Sequence, residues 1–226
     1  MNKEIYILGI GHNTSVYIDL VEACGYEIKG LYHYNGDRTG DIEHGYRVLG
    51  SFDDLFSLPS LVGMNLALSQ GDNAIRSQLF DKILQKGGEV PSLIHPTAQV
   101  SRFAQLGNGV VIHINTVVHP DVIIGDNSVL SYNVSITHST MIGNHCYIAL
   151  GAMIGAYVNI ADFAFIGIGA NIISGKVDMI GYNAYVGAGA LVTHSVEKNT
   201  VVAGSPAKII TVSYTHLRAH ETEADL

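Results

Sequence analysis

The hydrophobic positions of this chain follow two rules, one on each side of about residue 92. From Ile94 they recur every six residues: Ile94, Val100, Leu106, Ile112, Val118, Ile124, Leu130, Ile136, Ile142, Ile148, Ile154, Ile160, Ile166 and Ile172. After a two-residue insertion in "ISGKVDMIG" the step resumes at Ile180, Val186 and Val192. Four positions further on stand small or β-branched residues, among them Ala98, Val110, Thr116, Ser128, Cys146 and Ala164. This is the period of a hexapeptide β-helix, in which three hexapeptides make one triangular coil and residues three repeats apart stack. Ile94, Ile112, Leu130, Ile148 and Ile166 then form one internal ladder. Such ladders bury continuous apolar surface at about 25 cal/mol per Å², holding together repeats that could not fold singly.

The first part of the chain alternates short apolar runs with helical spacing. "EIYIL" (4–8) reads as a strand running into the glycine loop "GIGHNTS". In "SVYIDLVEAC" Val16, Leu20 and Val21 share a helix face, with Tyr17 and Cys24 beside it and Gly25 as the stop. "YEIKGLYHY", "YRVLG" and "NLALS" are three further strands. Ser51 caps a short helix, "FDDLF", with Asp53 and Asp54 in its first turn. "DNAIRSQLFDKILQKGG" is an amphipathic helix with Ile75, Leu79 and Ile83 on one face. Strands alternating with helices predict a small parallel-sheet α/β unit. Its glycine loop would aim backbone N–H groups at an anion. Gly9 and Gly11 lack the third glycine of a full dinucleotide fingerprint, so a tight turn, or a site for a nucleotide-sugar phosphate, fits better than a dinucleotide. The sequence thus predicts an α/β domain over residues 1–91, the β-helix over 92–211 and a non-native tail over 212–226.

That tail, "VSYTHLRAHET" from Val212 to Thr222, resembles a translated sequencing adapter, so His216 and His220 are not counted toward any site. The formal charge of the 226 residues is -8, and without Val212 to Leu226 it is -6. Either value argues against nucleic acid as a main partner, since phosphate binding needs a basic surface. Two cysteines, Cys24 and Cys146, are too few for a disulfide framework. Cys146 falls in the small-residue series of the repeat, so both read as core residues in a reducing cytoplasm. The start lacks the pattern of a signal peptide, and no apolar run approaches the ~20 residues that span a bilayer. No membrane partner is expected.

The six-residue step also sorts the outer corners, two positions after each aliphatic. One corner carries Asn108, Asp126, Asn144 and Asp162 and reads as a solvated edge. Another carries Ile114, Tyr132, Leu150 and Ile168, a stacked apolar ridge of the kind a partner covers. The third carries Arg102, Pro120, His138 and Ala156, so His138 points outward rather than into the core. A buried structural role, a metal ligand and a general base are its three candidate roles. A metal site needs three or four converging ligands. His95 and His113 stack three repeats apart, but no acid or third histidine joins them. The paired-histidine spacing of the γ-class carbonic anhydrases, which is five, is not met by His113 and His119 or by His138 and His145. No metal is therefore expected, and a metal hydratase is the weakest reading. An outward imidazole with an ordinary pKa near 6.5 suits proton removal at neutral pH.

The loop "GIGH", the hexapeptide run, "ITHSTMIG" and the closing "AGSPAK" together resemble a family of sugar acyltransferases. That family includes sialic acid O-acetyltransferases and the N-acetyltransferases of bacillosamine and perosamine synthesis, and the likeness runs from residue 4 to about 210. It implies a Rossmann-like, nucleotide-sugar-binding α/β domain followed by a left-handed β-helix. It also implies a homotrimer that binds acetyl-CoA between neighbouring subunits and acetylates a sugar, nucleotide-activated, for surface glycans. By that resemblance His138 is the catalytic base and Ser139 replaces the acid that usually follows it. Tyr147 takes the place of a CoA-contacting histidine. Ile168 and Ala188 match backbone contacts to CoA, and Pro206 and Lys208 lie in the loop near its adenine. Gly9, Gly11, His12 and Asn13 match the phosphate loop, and His33 and Tyr34 replace paired acids after the second strand. A non-catalytic binding or scaffold protein on the same fold is the alternative.

Overall fold

The computed structural model describes residues 3–210. The tail from Val212 lies outside the described residues. The chain divides into two compact units, with the boundary between Leu93 and Ile94.

The first unit contains a five-stranded sheet with three α-helices in its connections. β1 (Lys3–Leu8), α1 (Thr14–Ala23) and β2 (Tyr26–His33) come first, then the hairpin of β3 (Ile42–Glu43) and β4 (Tyr46–Ser51). α2 (Phe52–Ser57), β5 (Leu66–Leu68) and α3 (Asn73–Gln85) follow. The strand order is β3-β4-β2-β1-β5, all neighbours parallel except the antiparallel β3–β4 pair. Ile5, Ile7, Leu8, Leu31, Val48 and Leu66 fill its core. Ser51 caps α2 as its sequence indicates, in a capping box with Asp54.

Three local readings of the sequence change. β3 was not foreseen, because a two-residue strand carries no periodicity. α1 buries Tyr17, Ile18, Leu20 and Val21, leaving Val16 half-buried. On α3 the face rotates: Leu79, Phe80 and Ile83 are buried together with Arg76, and Ile75 is exposed. Arg76 enters the core because its guanidinium donates to the carbonyls of Gln70 and Gly71 and to Asn73 Oδ1. That satisfies a group whose burial would otherwise be costly.

The second unit is a parallel β-helix built on the six-residue step. Its short strands stack into sheets of six, five and eight strands, the repeat strands pairing in parallel with those three repeats away, so that Val129 faces Val111 and Tyr147, and the eight-stranded sheet ends in an antiparallel pair of Val201–Ala203 and Lys208–Ile209. The repeats and the parallel ladders fit a left-handed β-helix. Ile112, Leu130, Ile148 and Ile166 are fully buried and form the expected ladder, whereas Ile94 at its end is 37% exposed. The small positions fill the corners inside. Where they carry hydroxyls these are satisfied: Thr116 Oγ1 donates to Ser131 O at 2.6 Å and accepts from Val134 N–H at 3.2 Å. The insertion bulges out around Gly175, and Met179–Ile180 return to register beside Asn159–Ile160.

The polar corner is more than a solvated edge. Asp126 Oδ1 accepts from Asn108 N–H at 2.7 Å, Asn144 Oδ1 from Asp126 N–H at 2.8 Å, and Asp162 Oδ1 from Asn144 N–H at 2.8 Å. Each side chain thus satisfies a backbone donor of the preceding coil. A Cβ on Gly143 would fall on the Asp162 carboxylate, which is why glycine stands beside this ladder.

Candidate active site

Most corners of the helix turn through a left-handed residue three positions after the aliphatic. Asn115, Asn133, Gly151 and Gly169 occupy it at φ between 55° and 68°, the region where Asn and Gly are at ease. Ser139 (φ 59°), Tyr157 (φ 62°) and Phe163 (φ 62°) adopt it without that freedom.

His138 sits one residue before such a turn and is exposed, as the corner arithmetic indicates. Its Nδ1 lies 3.3 Å from Ser139 Oγ, and its ring meets that of Tyr157 at 88° with centroids 5.3 Å apart. Tyr157 is the residue sequence reasoning missed. It is the counterpart of Ser139 one coil later, and the signal lay in the same eighteen-residue spacing. His138 stands on a convex edge. Two open depressions lie elsewhere, one between α1 and the β3–β4 hairpin around Asp19, Glu22, His44 and Tyr46, another around Ile123, Met141, Asn159 and Tyr182.

The apolar ridge is exposed: Ile114 at 37%, Leu150 at 40% and Ile168 at 57%, with Tyr132 half-buried. Along it the chain turns at Gly151, Gly169 and Gly189 in the left-handed conformation. Among the described residues the N–H groups of Ile168 and Ala188 donate to no backbone carbonyl, while their neighbours Gly169 and Gly189 are bonded to Leu150 O and Ile168 O. Two amide donors without a backbone acceptor suit a ligand carrying carbonyl groups. Tyr147 lies on the adjoining sheet, its ring stacked on Phe165 at 14°, which stacks on Tyr185 at 8°. The loop of Pro206 is tied to the last coil by Ala207 N–H donating to Leu191 O and Leu191 N–H to Gly204 O, with Pro206 and Lys208 exposed.

In the first unit the glycine loop holds itself closed. Gly9 N–H donates to Tyr32 O, and Gly11 N–H to Thr14 Oγ1 at 2.7 Å, so these two amides are not aimed at an anion. Gly9 is required by packing: its φ is 110°, and a Cβ there would fall on Ser69 Oγ. Gly11 has open space around it, with His12 exposed and Asn13 half-buried at the head of α1. His33 is buried, its Nδ1 2.9 Å from Asn35 Oδ1 and its ring 4.2 Å from that of Tyr34. Asn35 in turn donates to Asp37 Oδ2.

The other histidine of note is His113, buried against Tyr132 with ring centroids 4.8 Å apart. Burial pushes its pKa down to about 4, helped by the charge of His95. Among the described residues no group of three or more His, Cys, Asp or Glu could hold a metal ion, and no helix is long and apolar enough to cross a membrane.

Comparison with known proteins agrees with this architecture. Residues 103–138 match the bacterial transferase hexapeptide family of six repeats. The acetyltransferase domain of PglB from Neisseria gonorrhoeae, solved with acetyl coenzyme A, superposes with a TM-score of 0.84 at 27% identity over 93% of this chain and 100% of that one. A mutant of GDP-perosamine N-acetyl transferase from Caulobacter crescentus, in complex with CoA and GDP-perosamine, gives 0.76 at 26% over 92% and 97%. WeeI from Acinetobacter baumannii shares the fold, at 0.80, 24% identity, and 92% and 100% coverage. A comparison with curated sequences gave no match. The chain thus carries the hexapeptide repeat over that stretch and shares its fold with sugar acetyltransferases. In particular, it resembles acetyltransferases that act on nucleotide-linked sugars.

Proposed function

We propose that this chain is an acetyl-CoA-dependent sugar acyltransferase with His138 as general base. The observation that carries the reading is the match, over nearly the whole of both chains, to an acetyltransferase domain solved with acetyl-CoA. The acceptor is a sugar amine or hydroxyl, nucleotide-linked as in the GDP-perosamine complex. Its nucleophile attacks the thioester carbonyl carbon, and His138 takes the proton the nucleophile loses. The C–S bond breaks, and the proton passes from the imidazolium to the departing CoA sulfur. The N–H groups of Ile168 and Ala188 receive the amide carbonyls of the donor's arm. Tyr147, Pro206 and Lys208 line its further course. The first unit, Rossmann-like, offers His12, Asn13 and Tyr34 to the nucleotide part of the acceptor, and His33, buried against Asn35, is not a direct contact.

His138 stands on a convex corner, so a wall is needed to exclude water and hold two substrates. The ridge of Ile114, Leu150 and Ile168 supports a homotrimer in which a neighbouring copy supplies that wall. The thiols of Cys24 and Cys146 suit the cytoplasm. Acetyl-CoA turnover against a panel of nucleotide-linked amino and hydroxy sugars tests the reading. Release of CoA with one of them is expected, and acceptor-independent silence across the panel would favour a scaffold.

A further inference from the structure

We infer that Tyr157 is a positioning residue for His138, supplying by ring contact the orientation that an acid at 139 would have given. The inference rests on the proposed role of His138. Ser139 is a weak partner for the imidazole, since its Oγ is 3.3 Å away, at the long end of hydrogen bonding. An exposed imidazole held only there is free to leave the geometry that proton removal needs.

Tyr157 meets it from the next coil. Its backbone N–H donates to the carbonyl of His138 itself at 3.4 Å, so the corner ladder fixes its Cα beneath the histidine. The ring then stands perpendicular to the imidazole at a centroid distance of 5.3 Å. That is the favoured arrangement of an aromatic pair. Two further observations set Tyr157 apart from a packing residue. It is 71% exposed, so it buries little of its own surface. It also holds φ at 62°, as Ser139 and Phe163 hold theirs, in a region where Asn and Gly are at ease and a bulky side chain carries backbone strain. An aromatic ring kept at a strained, solvated corner contributes little to the fold. Its ring contact is with His138.

The contact needs the ring and not the hydroxyl, which separates this role from hydrogen bonding or proton relay. The experiment compares full-length wild type with Tyr157→Phe and Tyr157→Ala in two readouts. The first is the C2–H resonance of the His138 imidazole, assigned by its loss in His138→Asn. It should move in Tyr157→Ala and stay near its wild-type position in Tyr157→Phe. The second is acetyl transfer: kcat should fall about two- to tenfold in Tyr157→Ala, with KM for acetyl-CoA unchanged, and recover in Tyr157→Phe. A kcat equal to wild type in Tyr157→Ala, or a fall as deep in Tyr157→Phe, overturns the inference. The resonance distinguishes the two levels of the argument. If it moves as stated while His138→Asn keeps full activity, the contact is real and the assignment of the base is wrong.

Discussion

His113 should make the β-helix sensitive to mild acid. It is 4% exposed, packed on Tyr132, and takes up its proton near pH 4 in the folded chain, against 6.5 when unfolded. Between those values protonation favours the unfolded chain. The stability His113 confers is whole above pH 6.5 and is lost progressively as the pH falls through 4. Each pH unit is worth about 1.4 kcal/mol, so the full loss is roughly 3 kcal/mol, with about 2 kcal/mol of it gone by pH 5. His113→Gln removes the titration while keeping a polar side chain in the site. Urea unfolding of wild type and His113→Gln, at fixed protein concentration and at pH 7, 6 and 5, isolates the effect from that of the carboxylates. The wild type should lose about 2 kcal/mol more than the variant between pH 7 and 5. Parallel losses in the two proteins would refute the argument that burial holds this imidazole neutral.

Two further outcomes follow from the β-helix. Ile148→Ala, fully buried in the ladder between Leu130 and Ile166, should cost about 2–5 kcal/mol in chemical denaturation, since the coils on either side cannot collapse into the space. Leu150→Asp places a charge on the exposed ridge, and light scattering should report loss of the proposed trimer together with loss of turnover. A stable, active monomer in either protein would dispose of the assembly.

The β-helix was legible because its rule repeats. Each aliphatic sits where stacking demands one, and a period sustained from Val100 to Val192 leaves no competing fold. The same arithmetic placed His138 outside and the ridge of Leu150 and Ile168 on one exposed corner. It did not show that Asp126, Asn144 and Asp162 bond to the coil before them, because composition at a corner does not say where a side chain's acceptors turn. Tyr157 escaped for a related reason. Its register beneath Ser139 was countable, but the perpendicular ring contact depends on rotamers that no periodicity encodes. In the α/β unit the period is short and the signal weaker. The helix from Asn73 was found, yet its buried face turned toward Arg76, since hydrophobicity alone cannot anticipate a guanidinium satisfied by loop carbonyls. Likewise the glycines of the first loop suggested open amides, and the structure spends them on Tyr32 and Thr14.

The central claim is that His138 removes the acceptor's proton during acetyl transfer. The measurement that bears on it most directly is steady-state acetyl transfer by wild type and His138→Ala with the acceptor the panel identifies. The account requires kcat to fall by ~10²-fold or more while KM for acetyl-CoA stays nearly the same. A His138→Ala enzyme that turns over near the wild-type rate contradicts it.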